Sequence, residues 1–369
     1  MDPDWQQLMP HRPVDLSGQA YVERPAGSAG AIADLILAGK NTVLVAGPVG
    51  VGKSTELASA FRSLRAHGLA CIAPMDRAEN MRRITSGRAL LWIAGFLAYT
   101  AFKGFNVKVS PEVLSALSQH GVLSPEEIPA PKAKVIAFQG SPDALLRATV
   151  AEVTRLSSQK RVAILVDGTE KLGADIAREL FDALADLPED VDLAVVIPWH
   201  AAFGPNAGDV IRPGERLISI RALPVEGPSG DDGRQFLRQV LERRLAPVSL
   251  PADVSDLAGR AAELSGGIPR MFLQLMADAA TNARLRRHGP WPTPDDLKDA
   301  AADMRDSFRR ILLPGDTEAL RAVDGTDGRE MPFDHKIRLL AHAALLERVG
   351  ERGPIMEPHP LVRALLWEA

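Results

Sequence analysis

The chain has 369 residues, 46% of them apolar and 24% charged, the composition of a globular protein, for which disorder is not the default, with enough apolar surface for two or three compact units. A formal net charge of −4 excludes a general electrostatic attraction to nucleic acid or anionic membrane, so any basic patch is local. The single cysteine, Cys71, rules out an internal disulfide; the first eight residues carry no apolar core behind a basic flank, nothing marks the chain for secretion, and a cytoplasmic setting is expected.

Through the first two thirds of the chain, short β-branched and apolar runs alternate with longer helical patterns, the signature of a parallel sheet covered by helices. Strands are expected at 42–46, 69–74, 161–166, 193–198 and 217–221. Helices are expected at 53–67, 86–103, 143–158, 174–187 and 231–245, each with apolar residues recurring at spacings of three and four. The most apolar stretch, 89–102, is shorter than the roughly 20 residues a membrane-crossing helix needs and reads as a buried helix. Residues 104–140, with Pro111, Pro125, Pro129 and Pro131 around one short helix near 112–120, read as a mobile insertion. After Pro247 the strand signals stop, and helices are expected at 254–265, 269–287 and 293–312. From Gly315 two turn-rich breaks, 324–330 and 350–358, enclose a helix at 334–349, and a terminal helix follows at 361–368. That layout suits a small winged-helix-like unit. The expected domains are 1–246, 247–313 and 314–369.

Between the first strand and the first long helix lies Gly47-Pro48-Val49-Gly50-Val51-Gly52-Lys53-Ser54, a complete match to the P-loop pattern in its proper strand-to-helix context. Glycines let successive backbone N–H groups turn inward toward phosphate oxygens, and the helix that begins at Lys53 adds the partial positive charge of its N-terminus. Lys53 is expected to reach the β- and γ-phosphates of a nucleoside triphosphate, ATP by preference. Thr55 lies beside them on the same helical turn, and the Ser54 hydroxyl is expected to hold Mg2+.

The third strand ends in Asp167-Gly168-Thr169-Glu170, which puts a carboxylate at the carboxyl edge of the sheet, where ligands of open α/β sheets bind. Asp167 is the expected second magnesium holder. Glu170 is the candidate to orient or deprotonate an attacking water; a solvated first-turn residue of the next helix is the other reading. The following strand ends in Pro198-Trp199-His200, where His200 is either a γ-phosphate sensor or a packing residue.

Four motifs resemble the signalling ATPases called STAND proteins and the origin-recognition-like AAA+ ATPases. Tyr21-Val22-Glu23-Arg24-Pro25 looks like the segment that packs near adenine in those families. The P-loop and the Asp167–Glu170 segment are the second and third motifs. Ser265-Gly266-Gly267-Ile268-Pro269-Arg270 is similar to their Gly-x-Pro motif. The resemblance implies that Tyr21, Val22 and Arg24 serve the base, that Pro269 packs by the nucleotide, and that Arg270 reaches the γ-phosphate and closes a lid on ATP. The implied fold is α/β: a five-stranded parallel P-loop NTPase core, an all-α lid domain and a C-terminal winged-helix-like unit. This chain has Glu23 where the family pattern has glycine, lacks an adjacent Asp-Glu pair, and lacks the arginine or asparagine usual on the sensor strand, so hydrolysis is expected to be slow.

From Met331 to Ala369 five lysines and arginines meet five aspartates and glutamates, a neutral unit where DNA readers carry a basic face. DNA binding is therefore disfavoured there. The basic run Arg284, Arg286, Arg287, His288, continued by Arg305, Arg309 and Arg310, is interleaved with Asp295, Asp296, Asp299, Asp303 and Asp306, the pattern of a salt-bridged helix face. Arg212 or Arg216 is either a surface arginine or an arginine finger for a neighbouring copy in a nucleotide-dependent homo-oligomer. The leading functional expectation is an ATP-driven switch acting on a separate partner protein and not on a membrane. A DNA-engaging loader and a nucleotide-binding scaffold with little catalysis are the alternatives.

Overall fold

Five short runs of valine, isoleucine, leucine and alanine build one sheet, and the computed structural model arranges them all parallel, in the spatial order β2-β3-β4-β1-β5. It describes residues 3–8, 21–25, 27–39, 42–123, 138, 140–157, 161–203, 211, 215–227, 230–287, 289–350 and 353–367. The chain divides into two compact units: a sheet unit of Ser28–Ala46 and Lys53–Ser219, and a helical unit of Met1–Gly27, Gly47–Gly52 and Ile220–Ala369.

The sheet unit runs α1 (Ser28–Leu37), β1 (Thr42–Ala46), α2 (Lys53–Arg65), β2 (Leu69–Pro74), α3 (Met75–Ala78), α4 (Ser86–Phe105), α5 (Pro111–Gln119), α6 (Pro142–Leu156), β3 (Val162–Asp167), a 3-10 turn at Thr169–Lys171, α7 (Ala174–Ala185), β4 (Val191–Val196), α8 (Trp199–Phe203) and β5 (Arg216–Ser219). Every residue of β3 and β4 is buried, which explains the unbroken apolar runs 162–166 and 193–196 within them: a central parallel strand has both faces covered. Register brings Val45 beside Val196, and Ala46 beside Ser219, so the strand ends at Ala46, Asp167, Val196 and Ser219 share one edge. Arg216 lies at the opposite edge, beside Val43; Arg212 falls outside the described residues.

α4 is the apolar stretch read as a buried helix. Ile93, Ala94, Leu97 and Ala98 are buried in one core with Leu69 and Cys71 of β2 and Ile164 of β3. Among the described residues no helix is long and apolar enough to cross a membrane. The segment read as a mobile insertion supplies α5, with Val113, Leu114, Ala116 and Leu117 buried in the same core. Pro111 at its first turn and Ser110 as its cap start a helix, so these residues punctuate a packed element. Pro125, Pro129 and Pro131 lie outside the described residues.

The helical unit opens with the turn Trp5–Leu8, where Trp5 and Leu8 are buried, and Trp5 Nε1 donates to the Pro290 carbonyl at 2.9 Å. Then come α9 (Asp231–Leu245), α10 (Ala252–Leu264), α11 (Pro269–Leu285), α12 (Pro294–Ile311), α13 (Asp316–Val323), α14 (Phe333–Ala341), β6 (Leu345–Gly350), β7 (Gly353–Pro358) and α15 (Pro360–Leu366). The division into two units groups α9 with the helices that follow it. The helix expected at 334–349 differs: it stops at Ala341, Ala343 takes a left-handed φ of 58°, and 345–350 pair antiparallel with 353–358. Ladder bonds to the second strand outweigh the helical propensity of Leu-Leu-Glu-Arg. An isolated antiparallel bridge from Thr326 to Met356 flanks the hairpin.

Candidate nucleotide site

Within the sheet unit, α2 begins at Lys53, directly after the glycine-rich loop. Lys53 is 5% exposed, as is Asp167 at the end of β3. The Ser54 hydroxyl donates to the Asp167 carboxylate, and Asp167 Oδ1 also accepts the Gly168 N–H at 2.9 Å. The two residues expected to hold magnesium are therefore brought together. Burial pushes the Asp167 carboxyl up to about 6; the neighbouring Glu170 and Asp76 carboxylates push the same way, while the Ser54 and Gly168 hydrogen bonds pull against them. Thr55, on the same helical turn, is half-buried.

Glu170 lies in the 3-10 turn after β3, and its Oε2 is buried without a hydrogen-bond partner among the described residues. Thr169 before it is fastened by its hydroxyl to the Val196 carbonyl of β4, so the turn is fixed to the sheet. A buried carboxyl oxygen without a partner in this turn calls for a polar group to meet it. Asp76, at the start of α3, escaped sequence reasoning. It meets Lys171 Nζ at 2.6 Å and packs against Gly168; its only signal was an acidic residue two positions past a strand end. His200 is in α8, past the end of β4 where a sensor was expected, and its side chain lies outside what the structure describes.

The helical unit holds the loop's glycine arc. Gly50 and Gly52 adopt φ of +85° and +108°, values that side chains rarely take. A Cβ at position 50 would lie 2.7 Å from Arg270 Cβ and 3.3 Å from Ile268 Cγ2, and the Arg270 N–H donates to the Gly50 carbonyl at 3.3 Å. Pro269 occupies the first position of α11, where its missing N–H is unneeded. The Gly-x-Pro turn thus packs directly on the loop. Gly47 and Pro48 have partners of their own, Val51 is fully buried, and Val49 is 48% exposed.

Arg24 donates to the Val51 carbonyl at 2.5 Å and to the Arg221 carbonyl, so the guanidinium grips loop backbone. Tyr21 and Val22 do face a cavity, of about 450 Å3, lined also by Glu23 and by Gln239, Glu242 and Arg243 of α9. The segment expected near a base is divided in use: two residues at a cavity, one on the loop.

Magnesium takes a few hard oxygen ligands and keeps several waters. A hydroxyl and one buried carboxylate beside a phosphate loop fit that demand. Among the described residues no group of three or more His, Cys, Asp or Glu side chains is placed to hold a metal ion.

No protein family and no curated protein matches the sequence. Solved structures do. A Walker-type ATPase of Pyrococcus abyssi superposes with a TM-score of 0.52 at 13% identity, over 95% of this chain and 99% of that one. The Cdc6p protein of Pyrobaculum aerophilum gives 0.49 at 13% identity, over 100% and 99%, and RuvB of Thermotoga maritima gives 0.41 at 13%, over 92% and 94%. At this identity the likeness to the first is one of fold, and the chain has the α/β P-loop NTPase fold.

Proposed function

We propose that the protein is a P-loop ATPase of the AAA+ kind that binds Mg-ATP, hydrolyses it slowly and works as a nucleotide-dependent switch for a partner protein. The observation that carries this reading is the hydrogen bond from Ser54, the last residue of a complete P-loop, to the buried Asp167 at the sheet's carboxyl edge. Ser54 and Asp167 are the residues that would hold magnesium. The ion supplies charge neutralisation on the phosphate oxygens. Lys53 binds the phosphates, and the N–H groups of Gly50–Gly52 cradle them. Glu170, with its unpartnered oxygen, takes the role of orienting the attacking water. The cavity beside Tyr21 and Val22 receives the base.

Arg270 supplies the switch element in this reading. It enters α11 at the loop carbonyl of Gly50, so a phosphate drawn onto the loop acts on the first turn of that helix. Hydrolysis and loss of phosphate would release it. The finer assignment to STAND or origin-recognition-like proteins rests on the same four motifs.

The DNA-engaging reading is weaker on one observation. Among the described residues of the C-terminal 39, Lys336, Arg338, Arg348 and Arg363 each bond inside the unit, to Gly328, Asp316, Leu223 and Asp324 respectively, an internal use that favours the partner-protein reading.

The reading is tested by equilibrium binding of a fluorescent ATP analogue and by small-angle scattering and solution mass with and without Mg-ATP, on wild type and Lys53→Ala. Wild type should bind and change its scattering profile, and the variant should do neither. Identical profiles with and without nucleotide would remove the switch; absence of binding would remove the ATPase.

A further inference from the structure

A second cavity, of about 270 Å3, opens on the helical unit where α11, α12 and His342 after α14 come together. It is smaller than the roughly 300–1,000 Å3 pockets that take whole small molecules. Its size is that of one long side chain.

The lining has two parts. Met271, Met304 and Phe308 form an apolar floor, Met304 and Phe308 being buried. Above it stand Asp278 and Asp303, one from each helix. Three other aspartates of α12 are arranged differently: Asp296 and Asp299 are paired with Arg286, and Asp306 with Arg309. Among the described residues Asp278 and Asp303 are paired with no lysine or arginine. Burial, with Asp303 nearby, raises the Asp278 carboxyl, against a hydrogen bond from Gln274. His342 is the remaining titratable group at the rim.

Two carboxylates, Asp278 half-buried and Asp303 exposed, lining one cavity with methionine and phenylalanine complement one chemistry: a cation on an apolar stem. A lysine or arginine side chain lays its methylenes along apolar surface while its head reaches the carboxylates. The planar guanidinium can address both at once, and its low hydration suits a half-buried site. Methionine floors adapt to such guests.

We propose that this cavity is the docking site for an arginine side chain presented by a partner protein. It gives the partner of the switch a place to hold, on the helix that begins with Arg270, and it does not depend on nucleotide binding being correct.

The test uses full-length protein labelled with 13C at the methionine methyl groups, the Met271 and Met304 signals being assigned with Met271→Leu and Met304→Leu. The probe is acetyl-Leu-Arg-Leu-amide, compared with the same peptide carrying citrulline, which keeps the shape and loses the charge. The arginine peptide should shift both methyl signals saturably; the citrulline peptide and the Asp278→Asn/Asp303→Asn variant should each bind about tenfold more weakly. The same shifts should persist in Lys53→Ala, which separates failure here from failure of the nucleotide reading. Equal response to citrulline, an unchanged response in the double variant, or shifts reproduced and saturated by MgCl2 alone would each overturn the proposal.

Discussion

The main-chain N–H of Arg270 donates to the carbonyl of Gly50, and the Arg270 side chain occupies the space that a side chain at position 50 would need. A loop glycine is usually explained by the ligand it admits. Here the protein itself claims part of that freedom, because the first turn of α11 stands where a Cβ would be.

Gly50→Ala should therefore damage two things together. It forces a left-handed φ on alanine and a clash with Arg270, at a cost of about 1–3 kcal/mol. Chemical denaturation should record that loss, and ATP-analogue affinity should fall at least about tenfold. Arg270→Ala keeps the backbone bond and should leave nucleotide binding closer to wild type while blunting the scattering change with Mg-ATP.

Asp167 sets a pH dependence. Its carboxyl in the unliganded fold sits near 6, above the ordinary 3.8, so its contribution to stability is present below about pH 4 and lost as pH rises through 6. Asp167→Asn should stabilise the unliganded protein at pH 7 by up to about 3 kcal/mol. Magnesium needs the ionised form, so Mg-nucleotide affinity of the wild type should rise between pH 5 and 7 more steeply than that of the variant. Calorimetry across this range checks both signs, and parallel slopes would dismiss the metal assignment.

Removing Arg24 leaves the carbonyls of Val51 and Arg221 without their donor. Arg24→Ala should cost about 1–3 kcal/mol of stability and weaken nucleotide binding through a loosened loop. Arg24→Lys, with one ammonium in place of a fork, should recover part of the stability and less of the binding. Hydrogen exchange at the loop amides distinguishes this from loss of a direct base contact, which would leave exchange in the unliganded protein unchanged.

His359 makes the helical unit sensitive to acid. The ring is fully buried, accepts the Leu361 N–H through Nδ1 and lies 4.8 Å from Phe308. Burial, helped by the charge of Arg348 and opposed by a hydrogen bond with the Ser265 backbone, holds its pKa down at about 3. The unfolded chain takes a proton below 6.5 and the folded one does not, so stability is lost as pH falls from 6.5 toward 3. At pH 5 the loss is about 2 kcal/mol. Denaturation of wild type and His359→Asn at pH 7.5 and 5 should show that increment in the wild type alone.

The sheet was legible because its cause is local: each strand is a short apolar run between turn residues, and the P-loop carries its own spacing. Helices α4, α6, α7, α9, α11 and α12 followed from periodicity for the same reason. The hairpin at 345–358 was not legible as strand, since Leu345–Val349 has helix-forming residues at helical spacing and becomes a strand only by pairing with residues beyond Gly353. The hold of Arg24 on the Val51 and Arg221 carbonyls was not legible, because sequence shows a neighbour's type and not its direction. Asp76 was overlooked because one acidic residue after a strand carries no spacing signal. Its meaning comes from β2 lying beside β3, a relationship made by crossover.

The division of the chain has a consequence for how the protein can be taken apart. The main chain passes from one unit to the other after residues 27, 46, 52 and 219, so neither unit is a continuous stretch of sequence. A fragment beginning at Ile220 would lack Trp5, Leu8, Arg24 and the six residues Gly47–Gly52 that complete its packing. No single cut yields both units whole. The six loop residues thus share a unit with the C-terminal half, and a lesion in either is expected to be felt in the other.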